Sequence, residues 1–241
     1  MNKFIKKISL LFNFSYIGFI DGHDYLKRSH LLKIRTHVGS NKYKNKKEFE
    51  KKFAKLIGQG DATAFASARM AFYEFMKISG ISYGDEVILC GSTCSVMPNA
   101  VMRLGAAPKY SDIDSGTFGS CSNSIKECIT PKTKLVVAQH SFGIPCQIDK
   151  IKQICDLKNI ILLEDCALAV GSKLNDKKVG TFGDAAIFST DHTKPVNSLV
   201  GGFIYSEDQT INNNIKESQE KAKHIPLKKQ RAIFNQIKTE R

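Results

Sequence analysis

Two hydrophobic periodicities recur along this 241-residue chain, one that predicts helices and one that predicts buried strands. Phe49, Phe53 and Ile57 recur every four residues among charged side chains, which indicates an amphipathic helix over residues 47–57. Apolar runs bounded by turn residues indicate strands, and the strongest run covers residues 159–163. The other predicted helices cover residues 69–79, 99–104, 124–129 and 149–157. The other predicted strands cover residues 62–67, 86–90, 109–113, 134–138, 185–189 and 202–205.

The order of these elements predicts the fold class. Strands and helices alternate through the middle of the chain, which is typical of an α/β fold with a mostly parallel sheet, here of seven strands. Ligands of such sheets bind in the crevice beyond the carboxyl ends of the strands. Candidate chemistry is therefore expected in the residues that end or follow each strand.

The net charge of +13 is concentrated outside the predicted sheet. Residues 1–57 hold 14 Lys and Arg against 4 Asp and Glu, whereas residues 58–205 hold 14 of each kind. A neutral central region argues against a nucleic-acid-binding surface there. Two interpretations of the basic flanks stay open: contact with anionic lipid, polysaccharide or nucleic acid, or a solvated face.

The first twenty residues have only the outline of a signal peptide. Lys3, Lys6 and Lys7 precede an apolar stretch, but polar residues interrupt it and no small-residue cleavage site follows. No apolar run reaches the roughly 18–20 residues that span a bilayer. A surface-packed amphipathic segment is therefore the preferred interpretation, and secretion or membrane attachment is the alternative.

The seven cysteines indicate a reducing compartment. Their number is odd and none forms a C-x-x-C pair, so neither a disulfide framework nor a zinc site is predicted. Most lie in apolar runs, where a free thiol behaves as a small hydrophobic group. We therefore expect a cytoplasmic protein without a metal site.

Three predicted strand ends carry polar residues that suit a phosphate-bearing aldehyde. Asp165 follows the strongest strand, where a carboxylate needs a partner such as a protonated pyridine nitrogen or a structural ion pair. Ser189 could hold a phosphate, and Lys194 could form an imine or simply be solvated. Free N–H groups after Ser67 attract phosphate, although Ser67 could serve only as a helix cap.

Taken together and in order, these segments resemble a known family. The landmarks are 67–69, 84–88, 99–100, 105–106, 112–114, 129–134, 143–145, 164–167, 183–184, 188–189, Lys194 and 201–202. Over about residues 49–205 the chain resembles the DegT/DnrJ/EryC1/StrS sugar aminotransferases. These enzymes depend on pyridoxal 5′-phosphate (PLP) and have the aspartate-aminotransferase fold, type I.

The resemblance implies a domain organisation. Residues 1–45 would be a basic N-terminal extension, and residues 46–206 the PLP-binding large domain, with its seven-stranded sheet between helices. Residues 207–241 would begin a truncated C-terminal segment. Because family members continue into a smaller C-terminal domain, we expect that domain to be largely missing here.

The resemblance also implies roles for individual residues. Lys194 would be the catalytic residue, which binds the PLP aldehyde and moves a proton between substrate and cofactor. Asp165 would pair with the pyridine nitrogen, and Ser189 would bind the phosphate. The other implied cofactor contacts are Ala68, Arg69, Thr93 and Leu168.

Four positions depart from the family pattern. Leu168 stands where a Gln commonly contacts the ring, and Cys94 stands where an aromatic residue often stacks on it. Ala68 and Arg69 replace a Gly and a Thr at the phosphate turn. These departures indicate either a subfamily or weakened cofactor binding.

The function implied by the resemblance is amino transfer, with glutamate as the expected donor, to a nucleotide-linked keto sugar in polysaccharide or cell-surface glycan biosynthesis. A homodimer is implied, with neither nucleic acid nor stable membrane insertion. One alternative is PLP-dependent sugar dehydration, for which some relatives replace the lysine with histidine; Lys194 favours transamination, and His192 lies nearby. Another alternative is a truncated, non-catalytic remnant that acts only as a subunit or binding partner.

Overall fold

The computed structural model describes residues 44–191, 193–196, 198, 200–222 and 225–240, together with positions 32, 33 and 35. The signal-like segment, most of the basic extension and His192 lie outside the described residues. The helices are α1 (Lys44–Ile57), α2 (Ala68–Ile78), α3 (Val96–Arg103), α4 (Ser122–Cys128), α5 (Ile148–Lys158), α6 (Gln209–Lys221) and α7 (Leu227–Glu240). The strands are β1 (Asp61–Phe65), β2 (Glu86–Cys90), β3 (Ala107–Ser111), β4 (Thr133–Gln139), β5 (Ile161–Asp165), β6 (Lys173–Leu174), β7 (Lys177–Lys178), β8 (Ala185–Ser189) and β9 (Gly202–Ser206).

Seven of these strands form one sheet in the order β1-β9-β8-β5-β4-β2-β3. The neighbours from β8 to β3 pair in parallel, whereas β9 pairs antiparallel with both β8 and β1. Six strands therefore run in one direction, and only β9 runs against them. The predicted α/β fold with a mostly parallel seven-stranded sheet is confirmed. The short hairpin β6–β7 was not predicted from the sequence.

Helices cover both faces of the sheet because its strands are apolar on both sides. Leu89 of β2 packs in a cluster with residues of α2, α3 and α6, whereas its neighbour Ile88 packs with residues of α4 and α5. Phe53 of α1 joins a third cluster with Phe188 and Phe203. Helix α6 belongs to the same body, because its Ile215 is buried in the first cluster.

Strand β5 lies two residues later than the periodicity predicts. Helix α5 ends at Asn159, which has a left-handed backbone with φ of 52°. The strand therefore begins at Ile161 and includes Glu164 and Asp165 as its last residues. This placement is tolerable in energy only because the Glu164 carboxylate finds donors inside the protein, as described below.

None of the described helices combines the length and the apolar character that crossing a membrane requires.

Candidate active site

The predicted site residues meet at one edge of the sheet. Strands β1, β2, β5 and β8 run in the same direction, so their carboxyl ends share that edge. Asp165 ends β5, Ser189 ends β8, and Lys194 follows in the loop after Ser189. Strand β9 starts at the same edge because it runs in the opposite direction. The site therefore lies where ligands of parallel sheets bind.

Asp165 offers one free carboxylate oxygen to this edge. Its side chain is only 8% exposed, and Oδ1 accepts a hydrogen bond of 3.0 Å from the Ala167 N–H. Among the described residues, none donates a hydrogen bond to Oδ2. Burial raises the pKa of Asp165 above its ordinary value, while the Ala167 N–H, His140 and the Lys194 charge oppose that rise. A cationic partner at Oδ2 would relieve the cost of burying this charge.

Lys194 lies in a turn that is fixed from both sides. Its N–H donates to the Asp191 carbonyl at 3.0 Å, and its side chain is half-buried. On the other side, Ser198 donates from its N–H to the Thr190 carbonyl at 2.9 Å and from its hydroxyl to Thr190 Oγ1 at 2.7 Å. Thr190 is fully buried. These bonds hold the loop so that the Lys194 charge acts on Asp165.

The backbone forms a candidate phosphate cup beside Ser189. Ser189 pairs in register with Gly202, and a Cβ atom at residue 202 would lie 2.2 Å from the Ala68 nitrogen. Gly202 thus brings Ser189 next to the start of α2. Ser67 caps that helix, because its Oγ accepts from the Met70 N–H at 3.2 Å. The N–H groups of Ala68 and Arg69 lie in the first turn of α2, where the helix itself provides no acceptor and a bound anion can take that place.

Thr93 and Leu168 lie on either side of the central strands. Thr93 is in the turn after β2, two strands from β5, which is roughly 10 Å at the usual spacing of about 4.8 Å. Gln139, the register partner of Asp165, spans part of this gap, since its Nε2 donates to Ser92 Oγ at 3.3 Å. Leu168 is half-buried three residues beyond the end of β5. The structure places Ser189 beside the α2 start and Asp165 at the end of the strand next to that of Ser189, whereas Thr93 lies two strands from Asp165.

The site contains a buried pair that periodicity alone did not identify. His140, 1% exposed at the end of β4, contacts Glu164, which is fully buried, through a 3.1 Å bond between Nε2 and Oε2. The sequence did offer one signal for this pair, because a polar residue, His140 or Glu164, follows each of two neighbouring apolar strands. The backbone N–H groups that donate to Glu164 come from residues 180–183. They are too distant in sequence to be recognised from the local pattern.

The same pair forms part of a cluster that superficially resembles a metal centre. Potential ligand atoms of His140, Glu164 and Cys166 lie within 4.8 Å of one another. However, His140 Nδ1 accepts from the Cys146 N–H, and both Glu164 oxygens accept from backbone N–H groups. Because these lone pairs are already used, we assign no metal to the cluster.

A cavity of about 990 Å³ lies away from this edge, between α1, β1 and α6. It contains none of the predicted site residues, and it is lined by five lysines and three acidic residues. The chemistry is therefore assigned to the strand ends and not to this cavity, because the strand ends join a lysine, a buried carboxylate and free N–H groups.

Comparison with known proteins tests the resemblance. The sequence model of the DegT/DnrJ/EryC1/StrS aminotransferase family matches residues 29–234. GDP-perosamine synthase of Vibrio cholerae is 36% identical over 163 residues, which cover 68% of this chain and 44% of that protein. The spore coat polysaccharide biosynthesis protein SpsC of Bacillus subtilis is 34% identical over 169 residues, which cover 70% of this chain and 43% of that protein.

A solved structure agrees with these sequence matches. DesI, crystallised in the presence of its TDP-sugar product, superposes with a TM-score of 0.76 at 27% identity, over 84% of this chain and 53% of that chain. The chain thus spans less than half the length of the two curated relatives. The family prediction is confirmed: this chain belongs to the DegT/DnrJ/EryC1/StrS aminotransferase family, whose members depend on PLP.

Proposed function

We propose that the chain carries the PLP site of an aminotransferase that moves an amino group, from glutamate, to a nucleotide-linked keto sugar in glycan biosynthesis. One observation carries this proposal. The buried carboxylate of Asp165 ends β5, and Lys194 follows the end of the neighbouring parallel strand β8, so both lie at the same edge of the sheet. A lysine that binds an aldehyde and a carboxylate that holds a ring proton are the two groups PLP chemistry requires.

The residues present fit this cofactor at both of its ends. Oδ2 of Asp165 is free to accept from a ring N–H, and burial favours a cationic partner there. Ser189 and the N–H groups of Ala68 and Arg69 form an anion cup on the other side. When bound, PLP supplies a ring that withdraws electrons from the carbon next to the amino group.

Each side chain then has a defined task. Asp165 keeps the proton on the ring nitrogen, because separating the two charges in a buried site would be costly. Lys194 would hold the cofactor through its aldehyde and would be the amine placed to move a proton at the substrate carbon. The bonds between Thr190 and Ser198 limit the positions that Lys194 can reach.

The departures at the phosphate turn fit this assignment. The cup uses backbone N–H groups, which every residue except proline provides, so Ala68 and Arg69 can replace the family residues without losing these contacts. The exposed guanidinium of Arg69 adds a positive charge near the anion. At the ring, by contrast, Leu168 cannot provide the amide of the usual Gln, so Asp165 and Lys194 carry more of the binding.

The names of the relatives support the substrate class. One relative is named for GDP-perosamine, another for spore coat polysaccharide, and DesI was crystallised with a TDP-sugar product. We extend to this chain the chemistry that the first and the last of these names share, a sugar carried on a nucleotide. The names do not point to one sugar, so the proposal stops at that class.

A homodimer is part of the proposal. Phe118 and Phe142 are exposed by 50% and 76%, and their rings meet edge to face with centroids 6.3 Å apart. Phe142 lies in the turn after β4, beyond the carboxyl end of that strand. Exposed apolar pairs of this kind are typical of surfaces that bind another protein. Sedimentation analysis of the wild type and of Phe142→Ser tests whether two copies meet at this surface.

Covalent trapping tests the cofactor assignment. The protein is incubated with PLP, reduced with borohydride and digested, and the peptides are mapped. We expect the pyridoxyl mark on Lys194, no mark in Lys194→Ala, and an unchanged mark in Lys126→Ala, which removes an exposed lysine of α4. A mark on another lysine, or none in a folded protein, would contradict the assignment.

Product analysis tests the reaction. The protein is supplied with PLP, glutamate and nucleotide-linked keto sugars, and we expect an amino sugar and 2-oxoglutarate in equal amounts. A dehydrated sugar without consumption of glutamate would instead support the dehydratase alternative.

A further inference from the structure

We propose that His140 is a positioning residue for the carboxylate that faces the cofactor ring. It acts in one fixed tautomer, through Glu164 and through the backbone of Asp165. This inference rests on the proposed function, because it assigns Asp165 to the ring nitrogen. His140 does not touch the reacting atoms. Its role is to fix the last two residues of β5.

The hydrogen bonds of His140 select a single neutral tautomer. Nδ1 accepts a 3.1 Å bond from the Cys146 N–H and therefore carries no proton. The ring proton must then be on Nε2, which donates to Glu164 Oε2 at 3.1 Å. The ring is 1% exposed, so water does not compete for either nitrogen. This arrangement sets the direction of the bond: His140 donates and Glu164 accepts.

Glu164 uses its full acceptor capacity. Oε2 accepts from His140 and from the Gly180 N–H at 2.8 Å, while Oε1 accepts from the N–H groups of Phe182 and Gly183 at 2.7 and 2.8 Å. Four donors stabilise a carboxylate that water cannot reach. The three backbone donors belong to the segment that leads into β8, the strand that ends at Ser189. Glu164 thus fixes β5 relative to the segment that enters β8.

His140 also contacts Asp165 directly. Its backbone N–H donates to the Asp165 carbonyl at 3.1 Å, so one residue contacts both Glu164 and Asp165. His140 makes both contacts as one rigid unit, because its ring cannot rotate without breaking the hydrogen bonds at both nitrogens. The backbone of Asp165, and with it the direction of Oδ2, therefore depends on the His140–Glu164 bond. Residues that orient the ligands of a metal ion change affinity or activity by about 10-fold to 100-fold, and we expect an effect of that order here.

Two substitutions separate the two ring bonds of His140. His140→Gln places an amide N–H near the Nε2 position, which keeps a donor for Glu164 and loses the acceptor for Cys146. His140→Asn places an amide oxygen near the Nδ1 position, which keeps the acceptor and loses the donor. The variants are matched, because each loses one buried hydrogen bond. Only His140→Asn breaks the bond to which we assign the positioning.

The main readout is the visible absorbance of bound PLP as a function of pH, which reports the protonation of the cofactor site. We expect His140→Asn to weaken PLP binding by at least about 10-fold and to shift the pH midpoint of the absorbance. We expect His140→Gln to stay within about threefold of the wild type, with an unchanged midpoint. As a control for lost stability, Phe72→Leu loosens the core cluster on α2 and should leave the midpoint unchanged.

The outcomes distinguish this inference from the function on which it rests. Equal effects of the Asn and Gln variants, or an unchanged midpoint in His140→Asn, would overturn the inference while the trapped mark on Lys194 still supports the function. If His140→Asn does not fold, nitrogen NMR shifts of His140 in the wild type decide. A proton on Nε2 and none on Nδ1 supports the inference, and a proton on Nδ1 overturns it.

Discussion

The two halves of the candidate site consist of different groups, backbone in one half and side chains in the other. The phosphate half consists mostly of backbone: the N–H groups of Ala68 and Arg69, brought beside Ser189 by the close approach of Gly202. The ring half consists of side chains, Asp165 and Lys194, held by buried hydrogen bonds. A backbone half tolerates changes of residue type, as the family departures at residues 68 and 69 illustrate. In a side-chain half, a change of residue type removes the contact itself, as Leu168 does for the usual Gln.

The largest expected effect is on the side-chain half. Asp165→Asn keeps the bond from Ala167 but cannot hold a proton on the ring nitrogen, because an amide carries no charge. We expect turnover to fall by at least about a hundredfold, with the protein still folded. Steady-state kinetics and circular dichroism measure the two quantities. Asp149→Asn, on the exposed first turn of α5, is the control, and a wild-type rate in Asp165→Asn would make Asp165 a structural residue.

The next largest effect is expected where the backbone half is most crowded. In Gly202→Ala the new Cβ would lie 2.2 Å from the Ala68 nitrogen, so the start of α2 must move away from Ser189. We expect PLP affinity to fall by about tenfold or more, because the cup N–H groups then point away from the phosphate. Equilibrium titration with PLP measures this. Gly116→Ala, whose Cβ would be 3.4 Å from Asp114 Oδ1, should bind normally.

A smaller effect is expected from side chains in the backbone half. Ser189→Ala removes one hydroxyl donor and should weaken PLP binding by about 0.5–1.5 kcal/mol. Arg69→Ala removes only an exposed charge and should weaken it less, with an effect that shrinks as salt is added. Titrations at low and high salt compare the two variants. A greater loss in Arg69→Ala than in Ser189→Ala would mean that the cup depends on side chains after all.

The smallest expected effect is on the stability of the chain without cofactor, and it tests the role of Asp165 in the ring half. Burial raises the pKa of Asp165 in the folded chain above its ordinary value of 3.8. The folded state therefore binds more protons than the unfolded state, and this group makes stability fall as pH rises above about 3.8. Asp165→Asn removes that dependence. We expect the variant to gain free energy of unfolding relative to the wild type at pH 7, and the gain to vanish in acid, by urea titration.

The sequence could predict much of this molecule. The apolar runs predicted each strand of the sheet, because a strand covered on both faces is apolar throughout. The ordered landmarks predicted the family. Periodicity could not show that Glu164 and Asp165 belong to β5, because a charged residue normally ends a buried strand. The donors that make Glu164 tolerable lie 16 to 19 residues later in the chain.

The role of His140 was out of reach for the same reason. Its two ring bonds involve Cys146 and Glu164, which are 6 and 24 residues away in sequence. A residue's hydrogen-bond partners are set by the sheet order, and the order β8-β5-β4 follows from the packing of the whole chain. The local sequence pattern identifies the polar residues at the strand ends. Only the folded structure shows which of these residues have hydrogen-bond partners.

The single reversed strand has a consequence for how the chain folds. Strand β9 pairs with β1, so the cup is closed by residues far apart in sequence; the hydrogen bond from the Gly60 N–H to the Tyr205 hydroxyl spans 145 positions. Contacts of such separation form slowly, because a long loop must close before they contribute. We therefore expect the candidate anion cup to form late in folding. A chain that binds a phosphate in the cup has therefore already paired β1, the first strand of the sheet in sequence, with β9, the last.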